Sequence, residues 1–234
     1  MLQPENYPRY LGQALVLEPD PFVEMVDDDN PWVEGLFLVT SIAVLVGLAK
    51  IVGGLLLTAS LPDPNAMLET FFLALRQVTG GAGLPAEAQE QVRFLWDLWR
   101  SAVGYGTGWL RLLLLVSLPA GWLLQWLVTG LLGYGGARLL GGQGSLNQTL
   151  GAMALMVAPR LLLLVQVIPF TQVSSLLLWT WGLLIAYRAL QTAHELPCPR
   201  AAAAALFAFL GMALLTALVA TAVGFFLGFW GGLL

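Results

Sequence analysis

Five stretches of this chain are apolar enough, for long enough, to cross a lipid bilayer, and this restricts the fold more than any other property of the sequence. A hydrocarbon core about 30 Å thick needs about 20 apolar residues in a helix that rises about 1.5 Å per residue. The runs fall at about 35–59, 109–134, 146–168, 173–190 and 201–230. They are continuous, unlike the alternating segments of roughly 10 residues that a membrane barrel shows. Backbone amides in lipid also need partners within their own segment. The expected fold class is therefore all-α, an integral membrane bundle of five transmembrane helices.

Composition agrees with that reading. Charged residues make up 10% of the chain, hydrophobic residues 58%, and the mean hydropathy is +0.79, whereas a soluble domain carries about 25% charged residues. The net charge of -4 has its acidic excess before residue 35, which disfavours nucleic acid as a partner. The first residues are polar and acidic and show no basic region leading into a short apolar core, so no cleavable signal peptide is expected. Cys198, the single cysteine, stands between Pro197 and Pro199 and supplies neither an intrachain disulfide nor a metal-ligand pair.

Two parts follow. Residues 1–34 form an acidic tail whose prolines and Asp27-Asp28-Asp29-Asn30-Pro31 run prevent one long helix, with a short helix around Arg9 to Leu17. Residues 35–234 form the membrane domain, its spans separated by the Gly-rich Gly133 to Gly144, by Pro169 at a tight hairpin, and by Pro197-Cys198-Pro199. Inserted between the first two spans, residues 60–108 are too polar for the bilayer interior yet periodic. Met67, Leu68, Phe71, Phe72, Leu75 and Val78 predict one amphipathic helix over 66–79; Val92, Leu95 and Trp99 predict a second over 86–100. Both are expected to pack at the membrane surface.

With five spans, arginines divide evenly between the two sides; counting short loops alone makes the side of Arg138, Arg188 and Arg200 cytoplasmic, which puts the N-terminus inside. The expected location is a bacterial inner membrane.

No His pair, phosphate-binding Gly-rich loop with Lys and Ser/Thr, or nucleophile elbow is present, and no span pairs two carboxylates. A non-enzymatic protein without cofactor or metal is therefore expected, with His194 serving as a polar helix end. Lys50 and Arg160 are the informative charges, because a cation within a span costs roughly 2.5 to 3.5 kcal/mol on insertion scales. Both lie in spans that run in the same direction, about 9 residues or roughly 13 Å from the same membrane face. No acid falls within a span, which leaves three explanations: snorkelling or carbonyl contacts, an anion or lipid headgroup held between the first and third spans, or a partner's carboxylate. Pro119, Pro159 and Pro169 are expected to kink their helices and free backbone carbonyls. Gly224, Gly228 and Gly232 carry the spacing that lets helices approach closely.

The order of residues in the second half resembles the Yip family of membrane proteins (Ypt/Rab-GTPase-interacting). Gly141-Gly142-Gln143-Gly144-Ser145 leads into a span containing Ala158-Pro159; Ile168-Pro169 marks a hairpin, Leu178-Trp179 sits in the next span and Ala201 opens the last. The resemblance covers about residues 109–231 and, more weakly, the first span. It implies five spans with a cytosolic N-terminus and, for eukaryotic members, a role in vesicle trafficking through Rab GTPases. The short tail and the insertion at 60–108 depart from those members and resemble the bacterial branch instead. The expected function is that of a membrane-organising or partner-binding subunit that contacts lipids and other membrane proteins. The alternative is lipid binding, transport or scrambling through Lys50 and Arg160.

Overall fold

The computed structural model describes residues 4–103 and 108–231, and every regular element among them is helical. A 3-10 turn at Pro4–Asn6 precedes α1 (Tyr7–Leu15), α2 (Asp20–Val26), α3 (Pro31–Ser60), α4 (Pro64–Val78) and α5 (Ala86–Val103). A 3-10 segment, Gly108–Leu113, leads into α6 (Leu114–Leu139). Then come α7 (Leu146–Ala154), continued as a 3-10 helix over Leu155–Val167, α8 (Ser175–His194) and α9 (Cys198–Gly231).

Four helical stretches among the described residues are long and apolar enough to cross a membrane: Pro31–Ser60, Leu110–Leu139, Leu146–Val167 and Cys198–Phe226. Residues 173–190, expected as the fourth of five spans, lie mostly in α8, which is not one of these four. Trp179, Trp181, Tyr187, Arg188 and Gln191 dilute its apolar character, and it falls outside that set.

The chain forms two compact units, one built from residues up to 44, 118–161 and from 174 onward, the other from 45–117 and 162–173. In the first unit α1 and α2 pack against α8, and α2 also against α7. The acidic N-terminal stretch thus folds as two helices, because Tyr10, Leu11, Ala14, Phe22 and Met25 recur at helical spacing and are buried. Trp181 Nε1 donates to the Leu15 carbonyl at 2.9 Å, and Arg9 pairs with Glu24 at the surface at 2.9 Å. Asp27 and Asp29 remain exposed between α2 and α3.

Glycines bring helices together in this unit, but in the middle of the chain. A Cβ at Gly130 would meet Leu150 at 2.5 Å, one at Gly133 the sulfur of Met153 at 2.8 Å, and one at Gly136 the ring of Phe207 at 2.9 Å. Gly133 and Gly136 therefore continue α6 to Leu139 where a break was expected at about residue 134; the chain turns only at Gly141, with φ +90°. Ser145 then caps α7: its hydroxyl accepts from Gln148 N at 3.2 Å while Gln148 Oε1 accepts from Ser145 N at 2.9 Å. At the C-terminal end, Gly224 faces open space; Gly232, and the surroundings of Gly228, lie outside what is described.

The third span is not one α-helix. Pro159 lacks an N–H and its ring conflicts with the carbonyl four residues earlier, and it is at that residue, Leu155, that the backbone tightens to 3-10 geometry. Pro119 lies inside α6 near its start, and Pro169 follows the end of the 3-10 stretch.

The second unit contains the two amphipathic helices at their expected places. Asp63 caps α4, accepting from Asn65 N at 2.8 Å and Ala66 N at 3.2 Å, with Pro64 at the first helical position. The Arg93 guanidinium of α5 sits over the Phe72 ring of α4 at 5.2 Å, and Arg100 pairs with Asp97 at 2.9 Å. Phe71, Leu73, Phe94, Leu95, Leu98 and Trp99 stay exposed.

Candidate functional site

A cavity of about 580 Å³ lies within the second unit and collects the polar groups of its spans. Lys50 of α3 lines it, half-buried, together with Arg111 from the 3-10 segment before α6. Arg111 is only 5% exposed, and its guanidinium donates to Thr58 Oγ1, itself donating to the Gly54 carbonyl at 2.9 Å. Gly54 makes room for this arginine, since a Cβ there would stand 3.2 Å from Arg111 Nε. Ser117, Gln166, Thr171 and Gln172 add neutral hydrogen-bonding groups; Leu57, Trp99, Leu110, Leu114, Phe170 and Val173 supply apolar wall. Among the described residues that line it there is no Asp or Glu.

The part of the wall between Gln166 and Val173 owes its shape to the end of the third span. Thr171 Oγ1 donates to the carbonyls of Val165 (2.8 Å) and Ile168 (2.6 Å), closing the 3-10 segment where Pro169 prevents its continuation, and Phe170 turns the chain with φ +66°. Gln166 reaches the cavity because Gly53 lets α3 approach its backbone carbonyl closely.

Arg160, expected beside Lys50, belongs to the first unit and has its own partners. It donates to Gln125 Oε1 of α6 at 2.7 Å and lies over the Trp122 ring at 4.3 Å. Trp122 and Gln125 are one turn apart on α6, so one helix face satisfies the guanidinium with an amide and an aromatic ring. A charge-assisted hydrogen bond contributes about 1.5 to 3 kcal/mol and a desolvated cation–π contact about 2 kcal/mol, of the same order as the insertion cost of one arginine. This pairing accounts for Arg160 without an anion.

Arg111 carries no comparable signal in the sequence, since a cation third in the span that starts at Trp109 looks like a loop charge. A usable signal was present in Gly53-Gly54, one turn beyond Lys50, a site where a neighbouring backbone and a guanidinium both come close.

His194, expected as a polar helix end, is 1% exposed in the first unit. Its Nε2 lies 2.8 Å from Thr149 Oγ1, which donates to the Ser145 carbonyl at 2.7 Å. The imidazole therefore carries its proton on Nε2, and the bare Nδ1 has no hydrogen-bond partner. Gly142 and Gly144 pack on the ring, and a side chain at Gly144 would collide with the Ala193 carbonyl. Burial, with the nearby Arg138 cation adding to it, holds this imidazole down at about 4. Among the described residues no cluster of three or more His, Cys, Asp or Glu is placed to hold a metal ion.

Comparison with known proteins gives one match. A family model, the Yip1 domain, matches residues 14–221, which include every residue named in the cavity. No curated protein and no solved structure matches the chain.

Proposed function

The chain belongs to the Yip1 domain family of helical membrane proteins, and from that premise we propose that it binds an anionic lipid, holding the headgroup with Lys50 and Arg111. The observation that carries this reading is the convergence of two cations on one cavity with no Asp or Glu among its described lining residues. Taking a cation out of water costs several kcal/mol, and an anion held beside Lys50 and Arg111 offsets part of that cost. Chain direction supports a lipid. Lys50 and Gln166 lie toward the C-terminal ends of their spans and Arg111 at the N-terminal end of its own, so alternating spans bring all three toward one membrane face. Apolar walls beside the charges suit an acyl chain, and the wall residues include no histidine, thiol or carboxylate to act as a base or nucleophile. Binding, not catalysis, is the activity this arrangement serves. Organising other membrane proteins around that lipid is the corresponding cellular role.

The test is native mass spectrometry of the full chain released from anionic lipid, with Lys50→Gln/Arg111→Gln alongside. Wild type is expected to retain stoichiometric phospholipid and the double variant to lose at least about tenfold in occupancy, equivalent to about 1.4 kcal/mol. Arg160→Gln is expected to retain its lipid, since Arg160 has its own partners. Equal occupancy in wild type and the double variant would sink the proposal.

A further inference from the structure

We infer that α5 enters the lipid–water interface of the chain's own membrane by its C-terminal half alone. Phe94, Leu95 and Leu98 sink among the lipids, while Glu87 and Gln91, earlier on the same face, stay in water. This contact is separate from headgroup binding at Lys50 and Arg111 and stands or falls without it. Its basis is a helix with two apolar faces. Val92 and Trp96 lie on one and are half-buried within the second unit. At about 100° per residue, Phe94, Leu95 and Leu98 fall together on a different arc, roughly 100° wide. They are 67%, 60% and 59% exposed.

Chain connection names lipid as the occupant of that arc. α3 ends at Ser60 and the next span begins at Leu110, and the end of one span and the start of the next share a membrane face. The α4–α5 hairpin is therefore tied to that face at both ends. Position agrees, because Trp99, one turn beyond Leu95, lines the same cavity as Leu57 of α3 and Leu110 and Leu113 of the following span. The stripe thus runs into the span ends, where Leu110 and Leu113 are exposed as well. Charge sets the direction of insertion. The stripe from Phe94 to Trp99 carries none, and Arg100 pairs with Asp97 at 2.9 Å on the other side of the helix. One and two turns earlier the same face reads Gln91 and Glu87, which cannot follow into an apolar medium at low cost. The helix is therefore expected to tilt, deepest where it approaches the span. With Glu87, Glu90 and Asp97 against Arg93 and Arg100, α5 also lacks the basic face that draws amphipathic helices to anionic lipid, so apolar burial is what holds it.

The test places a nitroxide on the full chain in vesicles, at Glu87→Cys, Gln91→Cys, Phe94→Cys or Leu98→Cys, in a Cys198→Ser background that removes the single exposed thiol. All four positions are exposed, so the label displaces no packing. Collisions with oxygen, which concentrates in lipid, are compared with collisions with a nickel chelate, which stays in water. The oxygen-to-nickel ratio is expected to rise in the order Glu87, Gln91, Phe94, Leu98, with the Leu98 label about 5 to 10 Å below the headgroup boundary. The same order is expected in phosphatidylcholine alone and with phosphatidylglycerol added. Strong nickel collision at all four positions would put α5 in water and overturn the inference. Protection of Phe94→Cys and Leu98→Cys from both reagents would put protein, such as a second copy of the chain, on the stripe and overturn it equally. Equal ratios from Glu87 to Leu98, or insertion only when phosphatidylglycerol is present, would overturn a tilted helix held by apolar burial.

Discussion

Gly53→Ala is expected to destabilise the protein by at least about 3 kcal/mol, the upper end of ordinary overpacking costs. In a helix interior, alanine is normally more favourable than glycine by up to about 1 kcal/mol, so helix propensity predicts the opposite sign. What reverses it is the backbone carbonyl of Gln166, into which a Cβ on Gly53 would drive directly. A flexible side chain could rotate away; a carbonyl in a 3-10 helix cannot move without displacing the segment that shapes the cavity. Gly121→Ala is the internal control, because a Cβ there meets nothing within 4 Å and the site lies inside α6. Thermal unfolding in detergent should therefore fall by several degrees for Gly53→Ala, at about 2 to 4 °C per kcal/mol for a chain of this size, and stay level or rise for Gly121→Ala. Equal midpoints for the two variants would contradict the close approach of α3 to Gln166.

The second large effect is on pH dependence and involves the only histidine in the chain. An unfolded histidine titrates near about 6.5, whereas burial, with the Arg138 cation nearby, holds His194 at about 4 in the fold. The sign follows from which state binds the proton first. Above pH 6.5 both states are neutral at this site and it has no effect on stability. Between pH 6.5 and 4 the unfolded chain takes up a proton that the folded chain refuses, so stability falls as pH falls, by about 3 kcal/mol in all, and levels off below 4. His194→Gln, with an amide to donate to Thr149, removes the titration. Chemical denaturation between pH 7.5 and 4 should give a downward slope toward acid for wild type and a flatter profile for His194→Gln. Parallel profiles would show that the imidazole is not held neutral in the fold.

Much of the fold was legible because a few strong physical rules applied without competition. Continuous apolar runs located α3, α6, the third span and α9, and residue spacing located α4 and α5, whose observed bounds of Pro64–Val78 and Ala86–Val103 lie close to expectation. Where tertiary packing decided the outcome, the same rules erred. Gly133 and Gly136 read as a helix break because glycine lowers propensity, yet close packing against Met153 and Phe207 rewards the missing side chains and carries α6 through to Leu139. Pro159 predicts a local kink; its consequence extends over a 3-10 stretch of 13 residues. The N-terminal segment read as a charged tail, because its buried residues are spread over two helices too short for a strong periodic signal.

The candidate site divides in the same way. Lys50 stood out because a lysine deep in an apolar run is improbable unless something accommodates it. Arg160 stood out for the same reason, but its accommodation is local, in Gln125 and Trp122 on a helix 35 residues away in sequence at the amide. Only the three-dimensional arrangement could reveal that pairing. Arg111 escaped because a cation at the first turn of a span resembles a loop charge, and the groups that bury it, Gly54 and Thr58, come from more than fifty residues earlier. Depth along a sequence run identifies a costly charge but not the partner that meets it.

The most direct measurement is photo-crosslinking with a phospholipid that carries its reactive group next to the phosphate, followed by peptide mapping of the full chain in nanodiscs. Labels are expected on the cavity wall, at residues 110–117 and 166–173 and around Lys50, and are expected to disappear in Lys50→Gln/Arg111→Gln. Labelling spread evenly along the lipid-facing spans and unchanged in that variant would contradict it.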